Sequence, residues 1–89
     1  MNSERTKVDA KSVEIIDAVK AESARVGVSG KQLADALGRD RNFIYERFRY
    51  EKPFDTNDLQ GIAKRLGITI ADILRSAALG AEIHGKALA

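Results

Sequence analysis

Gly27, Gly38 and Gly67 each follow a run in which apolar residues recur every three or four positions. Each also stands just ahead of a side chain able to cap a helix: Ser29, Asp40 or Thr69. Apolar spacing of three and four puts side chains on one face of a helix of 3.6 residues per turn, and no stretch alternates for long enough to read as a strand. Glycine closes a helix because it accepts the left-handed backbone that a Cβ resists. The chain is therefore expected to be all-α, cut into short helices by its own glycines.

Five helices are the simplest division. Thr6 and Asp9 have the spacing of a capping box for the first, whose stripe of Ile15, Ile16 and Val19 continues to about Arg25 before Gly27 ends it. Ser29 caps a short second helix with Leu33, Ala34 and Leu37 facing inward, closed by Gly38. A third is predicted from near Asp40 to about Arg49, and Pro53 forbids its continuation. Asp55 or Thr56 caps the fourth, in which Leu59, Ile62, Ala63 and Leu66 recur until Gly67. Thr69 and Asp72 repeat the capping-box spacing ahead of a fifth helix with Ile70, Ile73, Leu74 and Ala77 inward.

With 89 residues there is room for one core. Residues 1–76 are expected to form the domain and 77–89 a C-terminal extension, either helix continuation or tail. In that alanine-rich segment, broken by Gly80 and Gly85, Leu79 and Ile83 fall opposite Ile70 and Leu74 if the helix continues. Two readings stay open there, a homodimer contact through Leu79 and Ile83 or a frayed tail with scattered apolar residues. The chain has no cysteine, which excludes disulfides and thiolate metal sites. No apolar run reaches the ~18 residues a membrane span needs, and "MNSERTKVDAK" lacks the apolar core of a secretory signal, so the expected location is the cytoplasm. Net charge is only +2, which permits nucleic-acid binding without demanding it.

Two short helices joined at a tight glycine turn are the outline of a helix-turn-helix, whose second member enters the major groove of DNA. In "LADALGRDRNFIYERFR", Ala34 lets the two helices approach, Gly38 makes the turn, and Ile44 with Phe48 pins the second helix to the core. Asn42, Tyr45, Glu46 and Arg49 then point away from Ile44, with Arg41 at the leading edge. Arginine can donate twice to guanine, asparagine can exchange two bonds with adenine, and glutamate can accept from cytosine. These five are the expected base readers, Tyr45 against a thymine methyl or a phosphate. Ser29, Lys31, Gln32, Arg39, Arg47 and Lys52, with the free amides opening the second helix, are the expected contacts to the DNA backbone. The bland account is that the arginines are merely solvated, or that Glu46 or Tyr45 pairs with Arg49 along the helix.

These residues resemble the Cro and lambda-repressor-like helix-turn-helix proteins, also called the XRE family. The likeness runs from about Val19 to Leu74, through "VSGKQLADALG", "RDRNFIYERFR" and "LQGIAKRLGITIADIL". The stretch "RNFIYERFRYEKPFDTNDLQGIA" looks most like regulators of actinobacteria and their phages. The resemblance implies a five-helix lambda-repressor-like DNA-binding domain, transcriptional repression or activation, and frequent binding as a dimer to an inverted repeat. Three positions depart from the pattern. Gly30 stands where the family often has a phosphate-contacting glutamine, which leaves that clamp to Lys31 or Gln32. Arg39 replaces an apolar turn residue, and Arg47 stands where many members bury an aliphatic, a space assigned to Phe48.

Other function classes find little purchase. His84 is the only histidine, and nothing completes a metal set around it. Asp55 and Asp58 are close carboxylates, but their place at a helix start favours capping over acid–base catalysis. The expectation is a non-enzymatic protein with no cofactor, no metal, no membrane and no small-molecule substrate, whose partner is a double-stranded DNA operator. The rival is a protein-interaction module of antitoxin or regulatory-subunit type that keeps the fold and uses Tyr45, Arg49, Tyr50 and Phe54 as anchors.

Overall fold

The computed structural model describes the backbone of residues 8–88 and the side chains of residues 8–83. It contains α1 (Ala10–Arg25), α2 (Gly30–Leu37), α3 (Arg41–Phe48), α4 (Thr56–Leu66) and α5 (Ile70–Leu88), with no strand among the described residues. This is the five-helix arrangement expected from the sequence, with α2 and α3 as the helix-turn-helix.

Short helices need their ends satisfied, because the first four amides and last four carbonyls have no partner inside the helix. Ser29 and Gln32 form a capping box on α2, and Asp55 and Asp58 form one on α4. Thr69 and Asp72 exchange the same reciprocal bonds at 3.0 Å ahead of α5. The Thr69 amide, followed by Arg75 and then the Thr69 hydroxyl, holds the Asp72 carboxyl below the ordinary carboxylate range. At α1 the expected box is replaced. Asp9 is itself the cap and accepts from the Ser12 amide at 2.9 Å, while Thr6 lies outside the described residues.

The helix ends share one geometry. At Gly27, Gly38 and Gly67, with φ of 74°, 69° and 73°, the glycine amide donates three residues back and the next amide donates five back. The end of α3 has the same two bonds, Tyr50 to Arg47 and Glu51 to Glu46, but no glycine. Tyr50 adopts φ 65°, a conformation that costs an L-residue ~1–2 kcal/mol. Its hydroxyl offsets this by donating to Asp17 Oδ1 at 2.6 Å and accepting from Lys20 Nζ at 3.0 Å, which ties the end of α3 to α1. Pro53 follows a helix that has already ended.

Ile16, Val19, Leu33, Ala34, Ile44, Ile62 and Ile73 are wholly buried and make the centre of the core. α1 packs chiefly along α5, and α2 lies against α3 and α4. Leu37 of α2 occupies the place a Cβ at Gly61 would need, which is the close helix approach expected there. One expected core residue is outside. Leu74 is 47% exposed, because the buried face of α5 centres between Ile73 and Ala77, about 80° round the helix from Leu74 at ~100° per residue. α5 runs unbroken past Ser76 to Leu88 and leaves Leu79 and Ile83 more than half exposed. Among the described residues no helix is long and apolar enough to cross a membrane.

The glycines give opposite expectations for one substitution. Gly38→Ala should lower unfolding free energy by ~1–2 kcal/mol, since a Cβ is strained at its φ. Gly80→Ala, inside α5 with nothing within 4 Å of the added methyl, should raise it by ~0.5–1 kcal/mol. Urea denaturation monitored by helicity measures both, and equal signs would contradict these conformations.

Candidate nucleic-acid interface

The turn between α2 and α3 sets the site. Asp40 caps α3 by accepting from the Phe43 amide at 3.2 Å, so the helix begins with Arg41 and Asn42 in its first turn. Ile44 is fully buried beneath it and Phe48 packs against the core, which turns the opposite side of the first turn to solvent. Arg41 and Asn42 are exposed there, and neither makes an ion pair or side-chain hydrogen bond among the described residues.

The other three expected base readers are held by partners. The Tyr45 ring lies across the first turn of α2, where a Cβ at Gly30 would fall 2.8 Å from Cζ and 2.9 Å from the hydroxyl. It also meets Phe48 edge-on at 6.1 Å. Gly30 thus supplies the space in which the tyrosine packs. Glu46 is half-buried, with Arg47 Nη1 at 3.6 Å and Lys52 Nζ at 3.8 Å. Arg49 is the C-cap residue, and the Glu51 carboxylate, bonded to its Nε at 2.8 Å, holds its guanidinium above the usual range. Neither Glu46 nor Tyr45 has Arg49 as its close partner; the pairing along α3 is replaced by pairing into the loop after it.

Of the expected backbone contacts, Lys31 is exposed and paired with Asp35 at 3.2 Å, and Lys52 is exposed beside Glu46. The Ser29 and Gln32 side-chain oxygens serve the capping box, which leaves the hydroxyl hydrogen and the amide nitrogen to donate. Arg39 is exposed in the turn with its guanidinium 4.6 Å from the Phe43 ring centroid. Arg47 is the correction. Only 13% of its side chain is exposed, and Nη1 donates to the Phe43 carbonyl at 3.0 Å. Its Nε, sealed from solvent without a hydrogen bond, lies 4.0 Å from Asp58 Oδ2. It braces α3 against the cap of α4 from within and is not on the surface a phosphate meets. Spacing itself puts Arg47 on the inward side, about 60° round α3 from Ile44; its residue type suggested solvent, and the Phe43 carbonyl with the nearby Asp58 carboxylate gives the guanidinium partners inside.

Sequence reasoning also overlooked Phe43 and Lys20, and gave Tyr50 a role only as an anchor of the rival interaction-module reading. Phe43 shares a shallow cleft of about 270 Å³ with Arg39, Asp40, Asn42 and Glu46 on the recognition face. Lys20 lies 4.4 Å from the Tyr50 ring and 5.6 Å from that of Phe48. The anchors of the interaction-module reading are mostly engaged inside the molecule: Phe54 is 9% exposed and edge-on to Phe48, Tyr45 packs on α2, and Tyr50 is bonded to α1. Asp55 and Asp58 cap α4 through each other's amides at 2.7 and 3.0 Å. No group of three potential metal ligands occurs among the described residues, and the His84 side chain lies outside them.

No family model matches the chain, and no curated protein does. Among solved structures it is similar to the crystal structure of the clp gene regulator ClgR from C. glutamicum, with a TM-score of 0.71 and 26% sequence identity over 79% of this chain and 90% of that one. The five helices, the glycine turn and the exposed first turn of α3 define a helix-turn-helix domain, and the similar structure is that of a gene regulator.

The two kinds of arginine on α3 separate in one experiment. Arg47→Ala should cost on the order of 3 kcal/mol of stability, because it leaves Asp58 facing an emptied, poorly solvated space. Arg41→Ala should leave the melting temperature within a degree or so of wild type, since exposed side chains without partners rarely change stability by more than ~0.5 kcal/mol.

Proposed function

We propose that the chain is a sequence-specific double-stranded DNA-binding transcriptional regulator, of phage repressor, Cro-like or related bacterial type, that acts by occupying its operator. The carrying observation is the first turn of α3, where Arg41 and Asn42 stand exposed and unpaired on a helix whose other side is buried through Ile44. In this reading α3 lies in the major groove with Arg41 and Asn42 as the principal base readers. Tyr45, Glu46 and Arg49 contribute at the margins, once their present partners are exchanged for DNA. Ser29, Lys31, Gln32, Arg39 and Lys52 hold phosphates on either side and fix register without reading sequence. Such a regulator works in the bacterial cytoplasm, on the nucleoid.

A second copy of the chain completes the reading. α1 and the outer half of α5 enclose an apolar groove of about 820 Å³ walled by Val8, Val13, Ala77, Leu79, Gly80 and Ile83. Leu79 and Ile83, 55% and 59% exposed and one turn apart on α5, are the apolar side chains such a pairing would cover. Pairing through this groove presents two recognition helices to half-sites about one helical turn apart.

Selection of bound sequences from a random duplex pool tests the proposal, with a palindromic consensus as the expected result. Against that consensus Arg41→Ala and Asn42→Ala should each weaken binding by ~1–3 kcal/mol and relax preference at one position. Lys31→Ala should weaken all sequences alike and flatten the salt dependence. Recovery of no enriched sequence, with no saturable duplex binding at low salt, would instead support the protein-interaction module. Leu79→Lys with Ile83→Lys should yield a folded monomer by sedimentation that has lost the preference for paired half-sites; an unaltered sedimentation coefficient excludes the groove as the dimer contact.

A further inference from the structure

The Phe43 ring carries two guanidinium groups whose surroundings differ in every other respect. Arg47, 3.6 Å from the ring centroid, is largely buried and bonded to the carbonyl of Phe43 itself, so it fixes the ring in place. Arg39, 4.6 Å from the same centroid, is exposed. Among the described residues it has no carboxylate partner and no side-chain hydrogen bond. Lys31, Arg49 and Lys52 on the same surface differ from it, each with a carboxylate within 4 Å, while Arg41 shares its freedom from carboxylates. Arg39 also lines the cleft that Asn42 and Glu46 line, so its head group lies on the recognition face.

A guanidinium held over a ring by cation–π attraction spends none of its N–H donors on a carboxylate, so they stay available. A salt bridge would do the opposite and occupy them. The ring therefore restrains a side chain that otherwise carries ~2 kcal/mol of rotamer entropy, without consuming the groups that would grip a phosphate. We infer that Phe43 is a positioning residue for DNA binding: its ring holds the Arg39 guanidinium in the turn, poised to clamp one backbone phosphate of a duplex, and so sets the register at which Arg41 and Asn42 enter the groove. This rests on the DNA-binding reading and adds to it a residue that itself touches no DNA.

The test is a double-mutant cycle on the full chain, titrated with a random-sequence duplex over a range of salt concentrations. Arg39→Ala should lower the slope of log affinity against log salt by about 0.9, the loss of one phosphate. Phe43→Leu should weaken binding roughly two- to fivefold when Arg39 is present. In the Arg39→Ala background it should change nothing further, while Phe43→Tyr, which keeps the ring, should match wild type. A merely structural role for Phe43 predicts equal losses in both backgrounds, and that result overturns the inference. Should Phe43→Leu fold poorly, Arg39→Lys tests the same point with the core intact. It keeps the charge and the salt slope but lacks the flat face, so it should bind more weakly than wild type, and equal binding overturns the inference. An unchanged slope in Arg39→Ala also overturns it, leaving DNA binding untouched, whereas failure of the wild type to bind any duplex removes both readings together.

Discussion

Eight residues are too few to stay helical in water without help, and both α2 and α3 have eight. Everything on the recognition face depends on what holds α3 from behind. Ile44 supplies the apolar contact, Asp40 satisfies one of its orphan amides, that of Phe43, and Arg47 ties its last turn to the cap of α4. Tyr50 then closes the helix in a left-handed conformation that its own hydroxyl bonds to α1 maintain. The exposed first turn is rigid because four separate elements converge on a helix too short to be rigid alone.

Much of the fold was legible because its joints are local. A glycine two residues ahead of Ser29, Asp40 or Thr69 specifies both the left-handed stop and the next cap, and these contacts lie within a few residues of one another. Legibility failed where a long-range contact substituted for a local one. Tyr50 does the work of a glycine only because Asp17 and Lys20, more than thirty positions earlier in one case, are there to hold it. Leu74 failed for a different reason, since an apolar residue one step from Ile73 fits a wheel drawn about either of them.

The site divides along the same line. The exposure of Arg41 and Asn42 was legible from spacing alone, because no side chain among the described residues pairs with them. Tyr45 was expected to face outward, yet its ring lies over Gly30, and a glycine leaves no trace in a periodicity that records side chains. Arg47 was expected to meet phosphate because arginine on a short helix usually meets solvent, yet the Phe43 carbonyl and the carboxylate brought in by α4 give it partners inside. Phe43 was given no role from the sequence, although the two guanidinium groups on its ring make it a link between the core and the turn.

The distribution of carboxylates on the recognition face carries a further physical consequence. Exposed ion pairs such as Lys31 with Asp35, or Arg49 with Glu51, contribute only ~0–1 kcal/mol, so a phosphate can take over either cation at little cost. The carboxylates left behind then repel the duplex wherever it approaches too closely. Asp35, Glu46 and Glu51 therefore admit DNA in few orientations, and a domain with a net charge of only +2 gains little by binding in the others. Under the proposed DNA-binding reading, weak overall attraction with local repulsion suits discrimination between sites, because it suppresses the salt-driven binding that every duplex shares and would leave any contacts of Arg41 and Asn42 a larger fraction of the total.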